Sequence, residues 1–333
     1  MLKPHGVGIV GYGRFGRTLH DAWREKVTAV HDRRAVDPGE SVTNHPSLAA
    51  LLEDPAVEIV AVATEPSTHA AIATEALAAD RHVIVEKPLA TDERGAKMVA
   101  QTATRRGLVV TVDHVLIAHP LVTAAISLAE DGLLGSPVSF GVTNFAASDH
   151  LGPQHWFWDP ARSGGILVEH GVHFFDLALR ILGEAQETWA CPIEEGGARI
   201  GETASVCHPN GVSNHVHVFS RTRASESTSI EVGFQRGTLR LDGWIPLSGQ
   251  LVGDVEGADS LFPNASIGKS ADPPVRRIAF HMDEDKSSVY RGCLQRILRW
   301  TVEAIDKGVP APVDLGHARQ ALDTALACRG AIA

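Results

Sequence analysis

Three glycines near the N-terminus have a spacing that favours phosphate binding. Gly11, Gly13 and Gly16 form the pattern G-x-G-x-x-G, which follows the apolar run at 7–10 and opens a helical pattern. In that context Gly11 permits a tight turn, Gly13 lets the backbone approach a pyrophosphate, and Gly16 allows close packing of helix on sheet. Free N–H groups and the dipole at the helix N-terminus favour the negative charge of a diphosphate. The pattern therefore predicts a dinucleotide site.

Asp32 has the position of a residue that selects between dinucleotides. It ends the second apolar run, at nearly the spacing from Gly16 at which an acidic residue contacts the adenosine ribose. A carboxylate there accepts hydrogen bonds from the ribose hydroxyls and repels a 2′-phosphate. We therefore expect NAD to be preferred. NADP is the alternative, because Arg33 and Arg34 follow directly and an arginine can hold a phosphate.

Two further segments carry groups that suit the oxidation of an alcohol. Glu86-Lys87-Pro88 follows the fourth apolar run, and Glu169 and His173 have the spacing i, i+4 in a helical pattern. Loss of a hydride from carbon and a proton from oxygen needs a base of near-neutral pKa, which histidine supplies. An ammonium group stabilises the developing alkoxide. On a regular helix, residues at i and i+4 share a face, so Glu169 is expected to orient the imidazole.

The elements that must position these groups alternate in the first third of the chain. The apolar runs, which predict strands, are at 7–10, 27–31, 57–63, 82–85 and 108–112. The helical patterns are at 14–25, 46–52, 66–79 and 92–106. Thr91 is the expected N-cap of the last helix, and Gly107 its end. Alternating apolar strands and helices predict an α/β fold, a doubly wound parallel sheet of the Rossmann type, over residues 1–119.

The pattern changes after about residue 119. Helical patterns are at 120–130, 165–182, 287–307 and 313–327, an alternating strand is at 138–145, and several short strands lie between 187 and 240. Residues 248–274 are rich in Gly, Pro, Asp and Ser and are expected to form a long surface excursion. These patterns predict a C-terminal α+β domain, with a large and mostly antiparallel sheet, over residues 120–333.

Four segments, in this order, resemble the glucose–fructose oxidoreductase / inositol dehydrogenase (Gfo/Idh/MocA) family. They are 11–16, 64–69, Glu86-Lys87-Pro88, and the double glycine at 164–165 followed by the run 169–176. The resemblance spans residue 7 to about 330. It implies a Rossmann domain and a second domain whose open sheet joins copies into homodimers or homotetramers. It also implies hydride transfer between a nicotinamide cofactor and a hydroxyl or carbonyl of a sugar, polyol or related compound.

The resemblance also implies roles for individual positions. Lys87 corresponds to the catalytic lysine, His173 to the acid/base histidine, and Glu169 to an acidic partner that is usually Asp. The family pattern has Asn where this chain has Glu65. The predicted cofactor-binding residues are Gly11, Gly13, Arg14, Phe15, Gly16, Asp32, Arg33, Thr64, Pro66, His69, Glu86, Lys87 and Pro88.

Substrate recognition is where the chain departs from the family pattern. Ile117 stands where many members have an arginine, which argues against a phosphorylated or acidic sugar and puts polyol recognition in doubt. Aromatic rings and imidazoles remain as candidates, since rings either stack on a sugar face or pack in a core. The candidate substrate contacts are His119, Trp156, Trp158 and His170.

The histidine-rich region allows a zinc-site alternative. Its members are Asp149, His150, His155, Glu169, His170 and His173. Imidazoles and carboxylates are zinc ligands, but this spacing matches no established ligand pattern. We therefore expect no metal.

Composition and charge exclude several classes of partner. The chain has 30 Lys+Arg and 40 Asp+Glu, a net charge of −10, which argues against nucleic acids and anionic membranes. No run approaches the roughly 18 apolar residues of a membrane helix. The four scattered cysteines predict reduced thiols in a cytoplasmic protein. The expected partner is therefore a small-molecule substrate.

Two other functions share these motifs. A non-catalytic redox sensor would bind the dinucleotide and signal to a protein, but it would need neither Lys87 nor His173. An NAD-assisted glycoside hydrolase would use the same groups and add an elimination step after oxidation. The sequence leaves the hydrolase open.

Overall fold

The computed structural model describes residues 5–147, 151–152, 154–220, 225–254, 258–268 and 275–332. Two β-sheets organise this part of the chain. One is parallel and carries helices on its faces, and the other is large and mostly antiparallel. The predicted fold class, a doubly wound parallel sheet followed by an α+β unit, is confirmed.

The first sheet has the strand order of a dinucleotide-binding fold. Its strands are β1 (Val7–Val10), β2 (Val27–His31), β3 (Thr43–Asn44), β4 (Ile59–Val62), β5 (His82–Val85) and β6 (Val110–Val112). They are parallel and lie in the order β3-β2-β1-β4-β5-β6. The order reverses between β1 and β4, and in open α/β sheets ligands bind at the carboxyl ends of the strands at such a switch point.

The helices of this unit begin and end close to the predicted positions. They are α1 (Arg14–Trp23), α2 (Leu48–Glu53), α3 (Pro66–Ala78) and α4 (Glu93–Arg106). The prediction that Thr91 is the N-cap of α4 is wrong. Asp92 is the N-cap, and its carboxylate accepts a hydrogen bond of 2.7 Å from the N–H of Gly95. A carboxylate is as good a cap as a hydroxyl, so both residues fit the pattern. Gly107 ends α4 in the left-handed region, as predicted.

The second sheet follows α5 (Pro120–Glu130). Its strands are β7 (Pro137–Ala147), β8 (Glu187–Glu195), β9 (Ala198–His208), β10 (Gly211–Ser220), β11 (Ser227–Phe234), β12 (Gly237–Asp242), β13 (Ser248–Gly253), β14 (Ser266–Gly268) and β15 (Arg276–His281). They lie in the order β14-β15-β13-β12-β11-β7-β10-β9-β8, and only β7 and β10 pair in parallel. The short helix α6 (Pro160–Ser163) and the longer α7 (Val172–Leu182) lie between β7 and β8 in the chain.

Two predicted elements differ in the structure. Residues 248–274 are not simply a surface excursion, since β13 pairs with β12 and β15, and β14 pairs with β15. The helix predicted at 165–182 is regular only from Val172, because Leu167–Gly171 forms a π-helical turn. A π turn changes which residues share a face, and such turns are frequent at functional sites.

The C-terminal helices return to the first sheet. They are α8 (Lys286–Lys307) and α9 (Leu315–Ile332). Trp23 of α1 donates its indole N–H to the carbonyl of Leu294 at 2.9 Å, and Val112 of β6 donates to the carbonyl of Val313 at 3.0 Å. One hydrophobic core runs from β1 through α5 and α7 to α8. Division of the chain at residue 119 stays a prediction. None of the described helices is both long and apolar enough to cross a lipid bilayer.

Candidate active site

The three glycines of the first turn are needed for different reasons. Gly11 has φ +93°, and a Cβ there would lie 2.6 Å from the carbonyl oxygen of Ala63. A Cβ at Gly16 would collide with the carbonyl oxygen of Gly11. A Cβ at Gly13 would meet nothing closer than a guanidinium nitrogen of Arg34 at 3.6 Å. The fold therefore requires Gly11 and Gly16, while Gly13 leaves a space beside the backbone that a bound group can use.

This space lies at the start of α1, which fits a nicotinamide dinucleotide. Gly13 is the N-cap of α1 and provides no capping side chain, so the first-turn N–H groups are free to meet a diphosphate. Arg14 and Phe15 begin the helix at the same place. The cradle observed here is the one that the glycine pattern predicts.

Asp32 follows β2 and is held in the orientation of a hydrogen-bond acceptor. Its carboxylate accepts a hydrogen bond of 2.8 Å from the N–H of Tyr12 in the glycine turn and one of 2.9 Å from the N–H of Arg34. Burial alone would raise the pKa of Asp32, but the hydrogen bonds from Arg34 and Tyr12 outweigh it and hold the pKa below its usual value. Of the two arginines that follow, Arg34 is in contact with Asp32. Arg33 is exposed.

The turn after β4 is joined to the Glu86-Lys87-Pro88 turn by His69. One ring nitrogen of His69 lies 2.7 Å from the carbonyl oxygen of Pro88, and the other lies 3.1 Å from that of Thr64. His69 is 1% exposed, and burial lowers its pKa. It therefore acts on the predicted cofactor site by positioning two loops. Pro66 begins α3 directly after this turn.

Lys87 contacts Glu169 across the two units. Its ammonium group donates a hydrogen bond of 2.5 Å to a carboxylate oxygen of Glu169 and one of 2.7 Å to the backbone carbonyl of the same residue. The sequence predicted that Glu169 would orient His173, and the structure differs because Glu169 lies in the π-helical turn, where the i, i+4 relation of a regular helix does not hold. An ammonium has three N–H groups, so one remains for a substrate oxygen.

A buried carboxyl pair lies behind Lys87. Glu86 and Asp113 follow the adjacent strands β5 and β6. Burial, then the charge of Asp113, raises the pKa of Glu86 well above its usual value, and burial raises that of Asp113 to about 6. With both groups ionised, the Asp113 oxygens would have no donor. A proton on Glu86 supplies one, so the pair holds a shared proton at neutral pH.

His173 lies on α7 in a dry, ring-lined environment. It is 3% exposed, and its ring centre lies 4.7 Å from that of Trp244 and 5.8 Å from that of His114. Burial, followed by the charge of Lys87, lowers the pKa of His173 well below its usual value. The imidazole is therefore neutral at pH 7 and can accept a proton, but it is a weaker base than the near-neutral histidine expected from the sequence, because burial disfavours its charged form. Its Nδ1 has no hydrogen-bond partner among the described residues.

Asp176, one turn further along α7, is bound to other groups. Its carboxylate accepts from the guanidinium of Arg180 at 3.2 Å and lies 3.6 Å from Nδ1 of His114. Burial lowers the pKa of His114 to about 4, so His114 is a neutral neighbour of His173. Arg180 fixes Asp176, which lies near His114 without a hydrogen bond to it, and His114 packs edge-on against the His173 ring.

The four candidate substrate contacts have different environments. His119 is fully buried and caps α5 by accepting from the N–H of Leu121, so the structure does not support its contact with a substrate. Trp156 and Trp158 are partly exposed on a 3-10 turn on either side of buried Phe157. His170 is partly exposed, and its ring centre lies 6.2 Å from that of His173.

The zinc-site alternative gains no support. Among the residues that the structure describes, no three His, Cys, Asp or Glu side chains are arranged to hold a metal ion. Asp149 and His150 lie outside the described residues.

Three residues at the crevice were not found from the sequence. Trp244 lies in the turn between β12 and β13, where no motif marks it. His217 is fully buried on β10, and no motif in the sequence marks it. Arg162 of α6 forms an ion pair with Glu65 at the start of α3, and the departure from Asn at 65 was the available signal.

Sequence comparison agrees with the geometry, which is that of a dinucleotide-binding oxidoreductase with a second, sheet-containing unit. Residues 5–114 match the oxidoreductase family with the NAD-binding Rossmann fold, and residues 122–240 match the Gfo/Idh/MocA C-terminal domain. The chain belongs to the Gfo/Idh/MocA oxidoreductase family, and its N-terminal part is the NAD-binding domain of that family.

Individual relatives act on sugars. The levoglucosan dehydrogenase of Pseudarthrobacter phenanthrenivorans is 29% identical over 45% of this chain and 41% of its own length. The D-apiose dehydrogenase of Paraburkholderia graminis is 26% identical over 72% of this chain and 68% of its own length. An oxidoreductase from Agrobacterium radiobacter, solved with NAD+, L-tartaric acid and magnesium, has the same fold, with a TM-score of 0.80, 18% identity, and coverage of 99% of this chain and 96% of its own. The chain spans about two fifths of the length of the levoglucosan dehydrogenase and about two thirds of the length of the D-apiose dehydrogenase.

Proposed function

We propose that this protein is an NAD-dependent dehydrogenase or reductase that acts on the CH–OH group of a sugar, polyol or related small molecule. The observation that carries the proposal is that Lys87 contacts Glu169 in the π turn that leads into α7, and that the charge of Lys87 acts on the buried imidazole of His173 on that helix. When bound, the nicotinamide supplies the hydride acceptor or donor. The chain supplies the groups that handle the proton and the oxygen charge.

Each group has a defined task in alcohol oxidation. The neutral imidazole of His173 takes the hydroxyl proton, and the free N–H of Lys87 stabilises the oxygen as negative charge develops. Glu169 holds the ammonium in place through two hydrogen bonds. In the reverse direction the same imidazole, once protonated, returns the proton to the carbonyl oxygen. These roles follow from the positions of groups that the sequence already singled out.

The preference for NAD is supported by Asp32. Its carboxylate is fixed by the Tyr12 N–H beside the glycine turn and would meet a 2′-phosphate with like charge. Arg34 neutralises part of that charge, so the alternative NADP is weakened rather than removed as a ligand. Homo-oligomers formed through the second sheet and a cytoplasmic location remain part of the proposal, supported by the family resemblance and by the free cysteines.

The test combines cofactor binding with turnover. Wild-type protein should bind NADH more tightly than NADPH and should reduce NAD with members of a sugar and polyol panel, read at the nicotinamide absorbance. Gly13→Val should abolish binding, since its side chain fills the space for the diphosphate. Gly292→Val is the control, because a Cβ at Gly292 meets nothing within 4 Å and Gly292 lies on α8.

Three outcomes would contradict the proposal. Near wild-type NADH affinity in Gly13→Val would make the glycine turn a structural turn only. Tight binding with no turnover would favour a redox sensor. Hydrolysis of a glycoside with no net NADH would favour an NAD-assisted hydrolase.

A further inference from the structure

A continuous series of rings lines the crevice beside His173. Trp244 contacts both His173 and His170, at 4.7 Å and 5.2 Å between ring centres. His170 contacts Phe219 at 5.1 Å, and Phe219 contacts Phe157 at 4.7 Å. We call these five residues the ring wall. It begins at the predicted base and is built from α7, the π turn, β10, the 3-10 turn and the turn after β12.

Part of the ring wall is open to a ligand. Trp244 and His170 are partly exposed, whereas Phe157 and Phe219 are buried behind them. Nε2 of His170 and Nδ1 of His173 are sealed from solvent, so a ligand can reach only the other nitrogen of each ring, Nδ1 of His170 and Nε2 of His173. A neutral imidazole has one donor and one acceptor nitrogen, and a hydroxyl group also has both, so the two groups are complementary. The wall therefore offers an apolar ring face next to positions for hydroxyl groups.

The electrostatic environment of the wall is unfavourable for anions. Burial lowers the pKa of both His170 and His173 well below the usual value, so neither imidazole is a cation at pH 7. The charge of the Lys87 ammonium is balanced by Glu169 and its remaining N–H is directed to the reacting oxygen, and Arg162 is paired with Glu65. Behind Lys87 lies the carboxyl pair, and a pKa of about 6 leaves Asp113 mostly ionised at pH 7. An anionic substituent placed here would be desolvated against neutral rings and fixed carboxylates.

Resting on the function proposed above, we propose that the substrate is an uncharged cyclic compound with hydroxyl groups, held with one apolar ring face on Trp244 and its hydroxyls on His170 and His173. Compounds that carry a phosphate, a diphosphate-linked nucleotide or a carboxylate near the reacting ring are disfavoured. Trp244 and His170 are then the residues that determine specificity. A hydroxylated ring has apolar C–H faces and polar edges, which match the order of groups along the wall.

A panel of matched substrates tests the charge part of the proposal. Purified full-length protein is assayed with NAD and with sets that share one ring, such as a free sugar, its methyl glycoside, its 6-phosphate, its uronic acid and its nucleoside-diphosphate derivative. The neutral members should have kcat/KM more than about 100-fold above the charged ones, since an unpaired buried charge costs several kcal/mol. A charged member that is turned over as well as its neutral counterpart overturns the proposal.

Variants of the wall test the contact part. Trp244→Leu should raise KM for the best neutral substrate about tenfold, through the loss of stacking, with a smaller change in kcat. His170→Phe should raise KM by a similar factor, and His170→Gln, which keeps hydrogen-bonding groups, should restore part of it. Trp189→Leu is the control, because Trp189 is 57% exposed on β8. An unchanged KM in both Trp244→Leu and His170→Phe contradicts the assignment.

The affinity for NADH separates this proposal from the proposed function. All wall variants should bind NADH as the wild type does, because none touches the glycine turn. Normal NADH binding with turnover of charged substrates alone refutes the substrate class and leaves the dehydrogenase function standing. Absence of NADH binding in the wild type refutes the dehydrogenase function itself, and the substrate class with it.

Discussion

Two buried polar clusters meet at the crevice, and they treat charge in opposite ways. The acidic cluster, formed by Glu86, Lys87, Asp113 and Glu169, keeps an ammonium among carboxyl groups. The imidazole cluster, formed by His170, His173, His215 and His217, keeps its side chains neutral. Burial lowers the pKa of each of these histidines, that of His217 to about 3. The first cluster is built to hold a charge beside the reacting oxygen, and the second to hold a neutral base.

The difference follows from what each cluster packs against. Lys87 lies at the carboxyl edge of a parallel sheet, where Glu169 and the shared-proton pair offer it acceptors. His215 and His217 lie on β10 against the rings of Phe175 and Phe174, at 4.3 Å and 5.3 Å between ring centres. A ring face cannot solvate an imidazolium as water does, so desolvation decides the protonation state. Transfer of a substrate hydroxyl proton to a neutral base, beside a fixed cation, is then the chemistry available at their boundary.

The largest effect is expected where the two clusters meet. His173→Ala should lower kcat by about 10²–10⁴, the usual contribution of a positioned acid/base, and Lys87→Ala should cost a similar factor. NADH affinity should survive in both variants. His281→Ala is the matched control, since His281 is exposed on β15. Near-normal turnover in a folded His173→Ala protein would move the base elsewhere, with His170 or Glu169 as the next candidates.

The sequence predicted the first cluster better than the second, for physical reasons. The glycine turn and Lys87 are set by local backbone and strand order, which short patterns record. The partner of Glu169 could not be predicted, because a π turn leaves no mark in the spacing of apolar residues. Trp244 reaches His173 from a turn far away in the chain, and contacts of that kind are fixed by tertiary packing. His217 carries no motif, and its burial is set by the packing of β10 against Phe174 of α7.

The imidazole cluster should make the fold sensitive to acid. The unfolded chain binds protons at imidazole near pH 6.5, whereas buried His217 has a pKa of about 3. Its contribution to stability is therefore complete above pH 6.5 and is lost as pH falls, by up to about 1.4 kcal/mol per pH unit. His217→Phe removes this dependence. The free energy of unfolding of His217→Phe relative to wild type, from urea titrations, should rise by about 1.4 kcal/mol between pH 7.5 and 5.5.

Met98→Phe is the control for that comparison, because Met98 is exposed on α4 and carries no titratable group, so the pH dependence of unfolding should be unchanged. If His217→Phe loses as much stability between pH 7.5 and 5.5 as the wild type does, His217 does not cause the loss. The imidazole of the wild-type protein would then take up a proton in the folded state, against its pKa of about 3.

The acidic cluster should respond with the opposite sign and a smaller magnitude. Burial raises the pKa of Asp113 from 3.8 to about 6 in the fold, so the folded state binds more protons than the unfolded chain between these values. The contribution of Asp113 to the free energy of unfolding is therefore fully present below pH 3.8 and is lost as pH rises through 6. An asparagine at position 113 does not titrate, so Asp113→Asn lacks this loss of stability. The free energy of unfolding of Asp113→Asn relative to wild type should therefore increase by about 1 kcal/mol from pH 5 to pH 7.5. Asp242→Asn, at an exposed site on β12, should show no such dependence on pH.

The two variants together test the comparison of the clusters. If the free energy of unfolding relative to wild type changes with pH in opposite directions in His217→Phe and Asp113→Asn, one cluster excludes protons and the other retains one. Slopes of the same sign would mean that the two clusters titrate as a single unit, and the separation of a fixed charge from a neutral base would then be wrong.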